Sequence, residues 1–150
     1  MSNQLTAEDM MVKAETACSS ARLLLDHGDT NGAINRAYYA MFDAARSALL
    51  RSGAPVDPNI IRTHNGLIGA FGQYVVKNNP ELSTMGRTLN DTQESRIMAD
   101  YKRPALNRAV AEDIVELAET FIATIKALQF DRQPELPGRD SPSDSSPSPF

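Results

Sequence analysis

Apolar residues recur at every third or fourth position along most of the chain, while Val, Ile and Thr never form an alternating run, so the pattern predicts helices and no strands. Thr6 is placed to cap a first helix with Asp9 in its opening turn. Met10, Ala14, Ala17, Ala21, Leu24 and Leu25 make its stripe, and Gly28 ends it. Asp29 caps a second helix running to about Arg51, where Gly53 suits a left-handed cap and Pro55 blocks continuation. A third, about Thr63 to Asn78, carries Leu67, Ile68, Phe71, Val75 and Val76. Gly66, Gly69 and Gly72 lie three apart on it, a drifting smooth strip that predicts close contact with a neighbouring helix.

The fourth helix, about Ser83 to Ala99, is polar, with only Met85, Leu89, Ile97 and Met98 as long apolar residues. The fifth starts with Pro104, which suits a first turn, and runs to about Phe130. Its stripe is the strongest in the chain: Leu106, Ala109, Val110, Ile114, Leu117, Phe121, Ile125 and Leu128. Short connections favour antiparallel neighbours, so the expected fold is all-α, an up-and-down four- to five-helix bundle over residues 1–130. From residue 131 Pro, Ser, Asp and Gly take over, and 131–150 is expected to be a disordered tail.

A length of 150 residues suits one domain with one sizeable core. The net charge of -4 argues against nucleic-acid binding through bulk positive charge and leaves room only for a small or assembled basic cleft. Cys18 is the single cysteine, so no intramolecular disulfide and no multi-cysteine zinc site can form; among alanines and serines it reads as a packing residue. Two distant histidines and scattered carboxylates have no ligand spacing, so neither a metal nor another cofactor is expected. No stretch approaches the roughly 18 apolar residues of a membrane span, and the N-terminus lacks a leader pattern, so the expected location is cytoplasmic, with no membrane contact.

The stretch "NRAYYAMFDAARSALL", residues 35–50, puts polar groups into a core helix. With Arg36 at zero, Ile34, Ala37, Met41, Ala45 and Ala48 centre near about 150 degrees, whereas Tyr39 and Asp43 fall within about 60 degrees of Arg36. Tyr38 and Phe42 widen the apolar arc, so little of the helix suits solvent. Two readings fit Arg36, Tyr39 and Asp43: a solvated face, or a second buried or partner-facing surface.

The segment "GDTNGAINRAYYAMFDAARSALL" resembles the signature of the HEPN (higher eukaryotes and prokaryotes nucleotide-binding) superfamily, in the branch of small stand-alone prokaryotic proteins. "RTHNGLIGAFGQYVVK" is similar to the family's basic-His-x-Gly segment, and "ESRIMADY" to its Arg-x-x-Ala-Asp-Tyr segment. The likeness spans most of residues 10–128, in the expected order. It implies a helical bundle that dimerises, with a polar cleft where paired helices meet. Many relatives are metal-independent endoribonucleases, and many are paired with a minimal nucleotidyltransferase in toxin-antitoxin operons. The ribonuclease branches carry Arg, four to six residues, then His, a pair suited to moving the 2'-hydroxyl proton and stabilising phosphorane charge.

This chain departs from that pattern: in "RIMADYKRP", Arg96 is followed by Asp100 and Tyr101 but no histidine. A tyrosine of ordinary pKa near 10 is a poor base. Arg96 and Asp100, four apart, also suit a plain surface pair. Arg22 and His27 match the Arg-to-His spacing but end the first helix, the wrong place for the motif. His64 is the well-placed imidazole, though a helix-start His is commonly structural, through a hydrogen bond to neighbouring chain. The candidate catalytic set is therefore Arg96, Asp100, Tyr101 and His64; Arg36, Tyr39 and Asp43 form a dimer or cleft face; and Arg62, Lys102 and Arg103 are candidate phosphate contacts. Three functions follow from the resemblance. One is a dimeric toxin-antitoxin or defence component working with a nucleotidyltransferase partner that binds it or modifies one of its tyrosines, Tyr101 being the natural candidate. The others are an RNA-cleaving or RNA-binding homodimer, and a nucleotide sensor, for which no phosphate loop is visible.

Overall fold

Gly28, Asp29 and Gly32 turn the chain back on itself and so set the first contact of the bundle. In the computed structural model, which describes residues 5–101 and 108–128 (98–101 as backbone only), helix α1 spans Ala7–His27 and α2 spans Thr30–Ser52. Gly28 adopts φ 98°, a left-handed conformation that Cβ disfavours, and the N–H groups of Gly28 and Asp29 close onto the carbonyls of Leu25 and Leu24. The Asp29 carboxylate then accepts the Gly32 N–H at 2.8 Å, and a Cβ on Gly32 would collide with that carboxylate. The Gly-Asp motif is thus a helix stop and a helix start placed back to back.

At the far end of α1, Thr6 and Asp9 form the reciprocal capping box, and Ser47 of α2 donates to the Ala7 carbonyl at 2.8 Å. Small residues dominate the buried faces of both helices: Ala14, Ala17, Cys18 and Ala21 on α1, and Ala33, Ala37, Ala40, Ala44, Ala45 and Ala48 on α2. The pair consequently packs along most of its length.

Beyond Gly53, at φ 74°, a 3-10 turn at Ile60–Arg62 leads into α3, His64–Ala70, capped by the Thr63 hydroxyl. The expected third helix does not continue as one regular α-helix. Phe71–Val76 forms a π-helical turn, with Lys77 N–H bonded to the Gly72 carbonyl, and Phe71 and Val75 are both in the core. A second 3-10 turn, Pro80–Leu82, precedes α4, Ser83–Tyr101. Among its described side chains Met85, Leu89 and Thr92 are buried and Ile97, expected in the stripe, is exposed; the side chain of Met98 lies outside the described residues. α5 is described over Arg108–Ala127, and the expected start at Pro104 and end at Phe130 lie outside the described residues, as does the tail, 131–150.

The fold is the expected all-α bundle; among the described residues there is no strand. α2 is its centre, touching each of the other four helices. α5 lies across α1 and α2 with Ala111, Ile114, Val115, Ala118, Phe121, Ile122 and Ile125 inward, Phe121 stacking on Phe71 at 6.2 Å. Leu117, expected in that stripe, is instead exposed, because the buried arc is centred one residue later. Arginines close helix ends from neighbouring elements: Arg108 donates to the Leu25 carbonyl at 2.7 Å and Arg51 to that of Leu128 at 3.1 Å. No described helix is long and apolar enough to cross a membrane.

The glycine strip of α3 behaves differently from the expected helix contact. A Cβ at Gly66 would strike the Ile60 carbonyl of the preceding 3-10 turn, whereas at Gly69 and Gly72 it would meet open space. Gly66→Ala is therefore expected to lower stability by about 1–3 kcal/mol, and Gly69→Ala to raise it by about 0.5–1 kcal/mol through backbone entropy. Urea midpoints of the two variants check both signs.

Candidate functional site

α2 has almost no solvent to face: from Thr30 to Leu49, Tyr39 is the one exposed residue. Arg36, Tyr38, Tyr39, Asp43 and Arg46 among its polar side chains open onto a cleft of about 520 Å³ bounded by α2, α4, the start of α3 and one residue of α1. From α2 come Arg36, Tyr38, Tyr39, Phe42, Asp43 and Arg46; α4 supplies Gln93 and Arg96; Arg62 and His64 arrive from the 3-10 turn and α3, and Lys13 from α1. Five cations and one carboxylate thus share a cavity in a chain of net charge -4. Of the two readings of the Arg36, Tyr39 and Asp43 face, the solvated one does not hold: Asp43 is buried and Arg36 half-buried, with Tyr39 at the rim.

Arg96 lies over the aromatic rings of α2. Its guanidinium carbon is 5.1 Å from the centre of the Tyr38 ring and 5.6 Å from that of Tyr39, and its Nε donates to Gln93 at 3.0 Å. Tyr38 and Tyr39 meet edge to face at 5.1 Å, with Phe42 behind them. This cluster fixes the plane of a delocalised cation whose form suits a phosphate or carboxylate.

His64 takes a structural position. Its Nδ1 is 2.8 Å from the Tyr38 hydroxyl and its Nε2 is 2.7 Å from Asn90 Oδ1. Since an amide oxygen only accepts, Nε2 carries the proton, and Nδ1 receives the Tyr38 O–H. Burial pushes the Tyr38 phenol up to about 12, Arg96 opposing, so it stays a donor at neutral pH. Both ring nitrogens are engaged, and a proton transfer through His64 requires one of these bonds to open.

Asp43 sits beneath the cations, 3.5 Å from Arg46. Burial raises its carboxyl above the usual range, with Lys13, Arg46 and Arg36 pulling the other way. The Nε of Arg46 is buried and has no hydrogen-bond partner among the described residues.

Of the sequence candidates, Arg36, Tyr39, Asp43, Arg62, His64 and Arg96 come together in this one cavity. Asp100 and Tyr101 belong to the last turn of α4 by backbone, their side chains outside the described residues, as are Lys102 and Arg103 altogether. Arg22 is elsewhere, bound to Glu119 of α5 at 2.8 Å. Sequence reasoning missed Lys13, Arg46, Asn90 and Gln93. Arg46 was within reach, since it stands about 20 degrees from Tyr39 on the helical wheel. Asn90, Gln93 and Arg96, each three apart, form a polar stripe on α4, while nothing local marks Lys13.

Comparison with known proteins gives a consistent set of relatives. The profile of the HEPN domain matches residues 7–128. A protein of Methanocaldococcus jannaschii named "Putative toxin" is 33% identical over 113 residues, 75% of this chain and 81% of that one. A UPF0332 protein of Gloeobacter violaceus is 33% identical over 94 residues, 63% of this chain and 71% of its own. Another of Pyrococcus horikoshii reaches 47% over 62 residues, 41% of this chain and 40% of that protein.

The raised carboxyl of Asp43 has a consequence for stability. The folded chain holds an extra proton from the unfolded value of 3.8 up to the raised one, so stability falls as pH climbs through that window and stays lower above it. Asp43→Asn, which carries no charge, is expected to raise Tm at neutral pH and to lose that gain below pH 3.8. Thermal scans at the two pH values check this, and a lower Tm at neutral pH would mean that the cations outweigh burial.

Proposed function

The chain belongs to the HEPN domain family, and from that membership we propose that it is the toxin-type component of a toxin-antitoxin or defence system, a homodimer whose α2–α4 cleft binds single-stranded RNA and whose partner is a nucleotidyltransferase. The archaeal relative named for a toxin supports the first part. The observation that carries the RNA reading is the gathering of five cations around an aromatic pair in an otherwise acidic chain. Arg96, Arg36, Arg46, Arg62 and Lys13 offer charge to a phosphodiester, and Tyr39, 37% exposed, offers a ring on which a base stacks. Since the chain as a whole carries net charge -4, the gathered cations make this cleft the favoured place for a polyanion.

Binding is favoured over cleavage by His64, whose ring nitrogens are both taken. The second reading, a metal-independent endoribonuclease, runs through Arg96 with Asp100 and Tyr101, Lys102 and Arg103 adding phosphate contacts. In the partnership, a nucleotidyltransferase blocks the cleft by docking on it or by modifying a tyrosine. Of the two tyrosines lining the cleft, Tyr38, 2% exposed, is closed to such chemistry and Tyr39 is open to it, while Tyr101, in the last turn of α4, is the acceptor the family resemblance suggests.

Labelled single-stranded RNA titrated without metal tests the cleft: Arg96→Ala is expected to weaken binding about tenfold. Equal affinity in wild type and variant, or no binding by wild type, would overturn the RNA reading. Loss of intact total RNA with wild type, but not with the Arg96→Ala, Tyr101→Phe double variant, would replace binding with cleavage. Dimerisation is a separate expectation. Tyr39→Ala weakens the dimer in sedimentation at micromolar concentration and Glu116→Ala does not; unchanged sedimentation of Tyr39→Ala would remove Tyr39 from the interface.

A further inference from the structure

We propose that a second nucleoside subsite adjoins the cleft, so that the recognised unit is a dinucleotide whose bridging phosphodiester rests on Lys13, Arg46 and Arg62; this rests on the RNA reading above. A second concavity of about 640 Å³ lies beside the first, where the start of α1, the end of α2 and the 57–62 segment meet. Lys13, Arg46 and Arg62 line both concavities and so form the partition between them.

The second cavity differs in kind from the first. Its floor is Met10 and Ile61, 0% and 2% exposed, and its rim is Leu5 and Leu50, 45% and 37% exposed. No aromatic side chain lines it. The segment that closes it also orients a cation of the partition: Asp57 accepts the Asn59 N–H at 2.9 Å, and Asn59 Oδ1 accepts from Arg62 at 3.4 Å.

Apolar rim, cationic partition and aromatic cleft follow one another in the order base, phosphodiester, base. An inorganic anion would use the partition and leave Leu5 and Leu50 in water. A single nucleotide fills one side. A dinucleoside monophosphate places one base against Tyr39 and Arg96, its single charge on the partition, and the other base over Leu50 and Leu5, removing their apolar surface from water.

Two ligands of equal charge separate the subsite from the cleft: adenylyl-(3'→5')-adenosine, and adenosine 5'-(methyl phosphate), which lacks the second nucleoside. Calorimetric or NMR titration of the full chain is expected to show the dinucleotide bound about tenfold more tightly. Leu50→Gln, a neutral change at an exposed position, is expected to erase that difference while leaving the methyl phosphate affinity unchanged. In the wild type, the Leu5 and Leu50 methyl signals should shift with the dinucleotide only. Equal affinities in the wild type, or a difference that survives Leu50→Gln, would overturn the subsite and leave the cleft reading standing. If neither ligand binds, the RNA reading itself falls and takes the subsite with it.

Discussion

Small side chains where α1 and α2 are buried let two long helices lie close along most of their length, and the remaining elements are placed by what that pairing leaves uncovered. Alanine contributes little apolar area, so the hairpin cannot supply the core alone. The larger residues come from elsewhere: Phe71 and Val75 from the π-helical turn, and Phe121, Ile122 and Ile125 from α5. With α1 and α5 covering part of α2 and α4 and α3 another, one narrow face remains, and it opens into the polar cavity.

That enclosure explains the polar residues in the α2 sequence. An exposed helix face carrying Arg36, Tyr39, Asp43 and Arg46 would be unremarkable in composition and weak in consequence, because water screens such charges. Inside a walled cavity the same groups shift each other. Asp43 is pushed toward its neutral form by burial, Tyr38 is held protonated, and Arg96 is confined to the faces of two rings. Electrostatics of this kind favours binding a counter-charge over exchanging protons, and it accords with a His64 that ties α2 to α4 through Tyr38 and Asn90.

Most of the helical framework was legible in the sequence because its signals are local. Thr6, Gly28, Asp29 and Gly53 each act within a few residues, and each appears in the structure in the role its chemistry suggests. The π-helical turn was not legible, since the four-residue spacing of Leu67, Phe71 and Val75 fits an α-helix as well. The glycine strip misled for a related reason: spacing shows where Cβ atoms are missing, but only tertiary placement shows whether anything fills the gap. In the cavity, the α2 residues could be read from one helical wheel. Lys13 could not, because its membership depends on the hairpin bringing the first turns of α1 beside the last turns of α2.

The aromatic pair beneath Arg96 also has an optical meaning. The chain contains no tryptophan and four tyrosines, and two of those four, Tyr38 and Tyr39, stand in the cavity. Much of the near-ultraviolet signal of the unlabelled protein therefore originates at one place, where a cation already lies on both chromophores. Any ligand that displaces that guanidinium or slides onto Tyr39 alters the environment of half the chromophores at once. The protein thus carries a built-in spectroscopic reporter of its own occupancy.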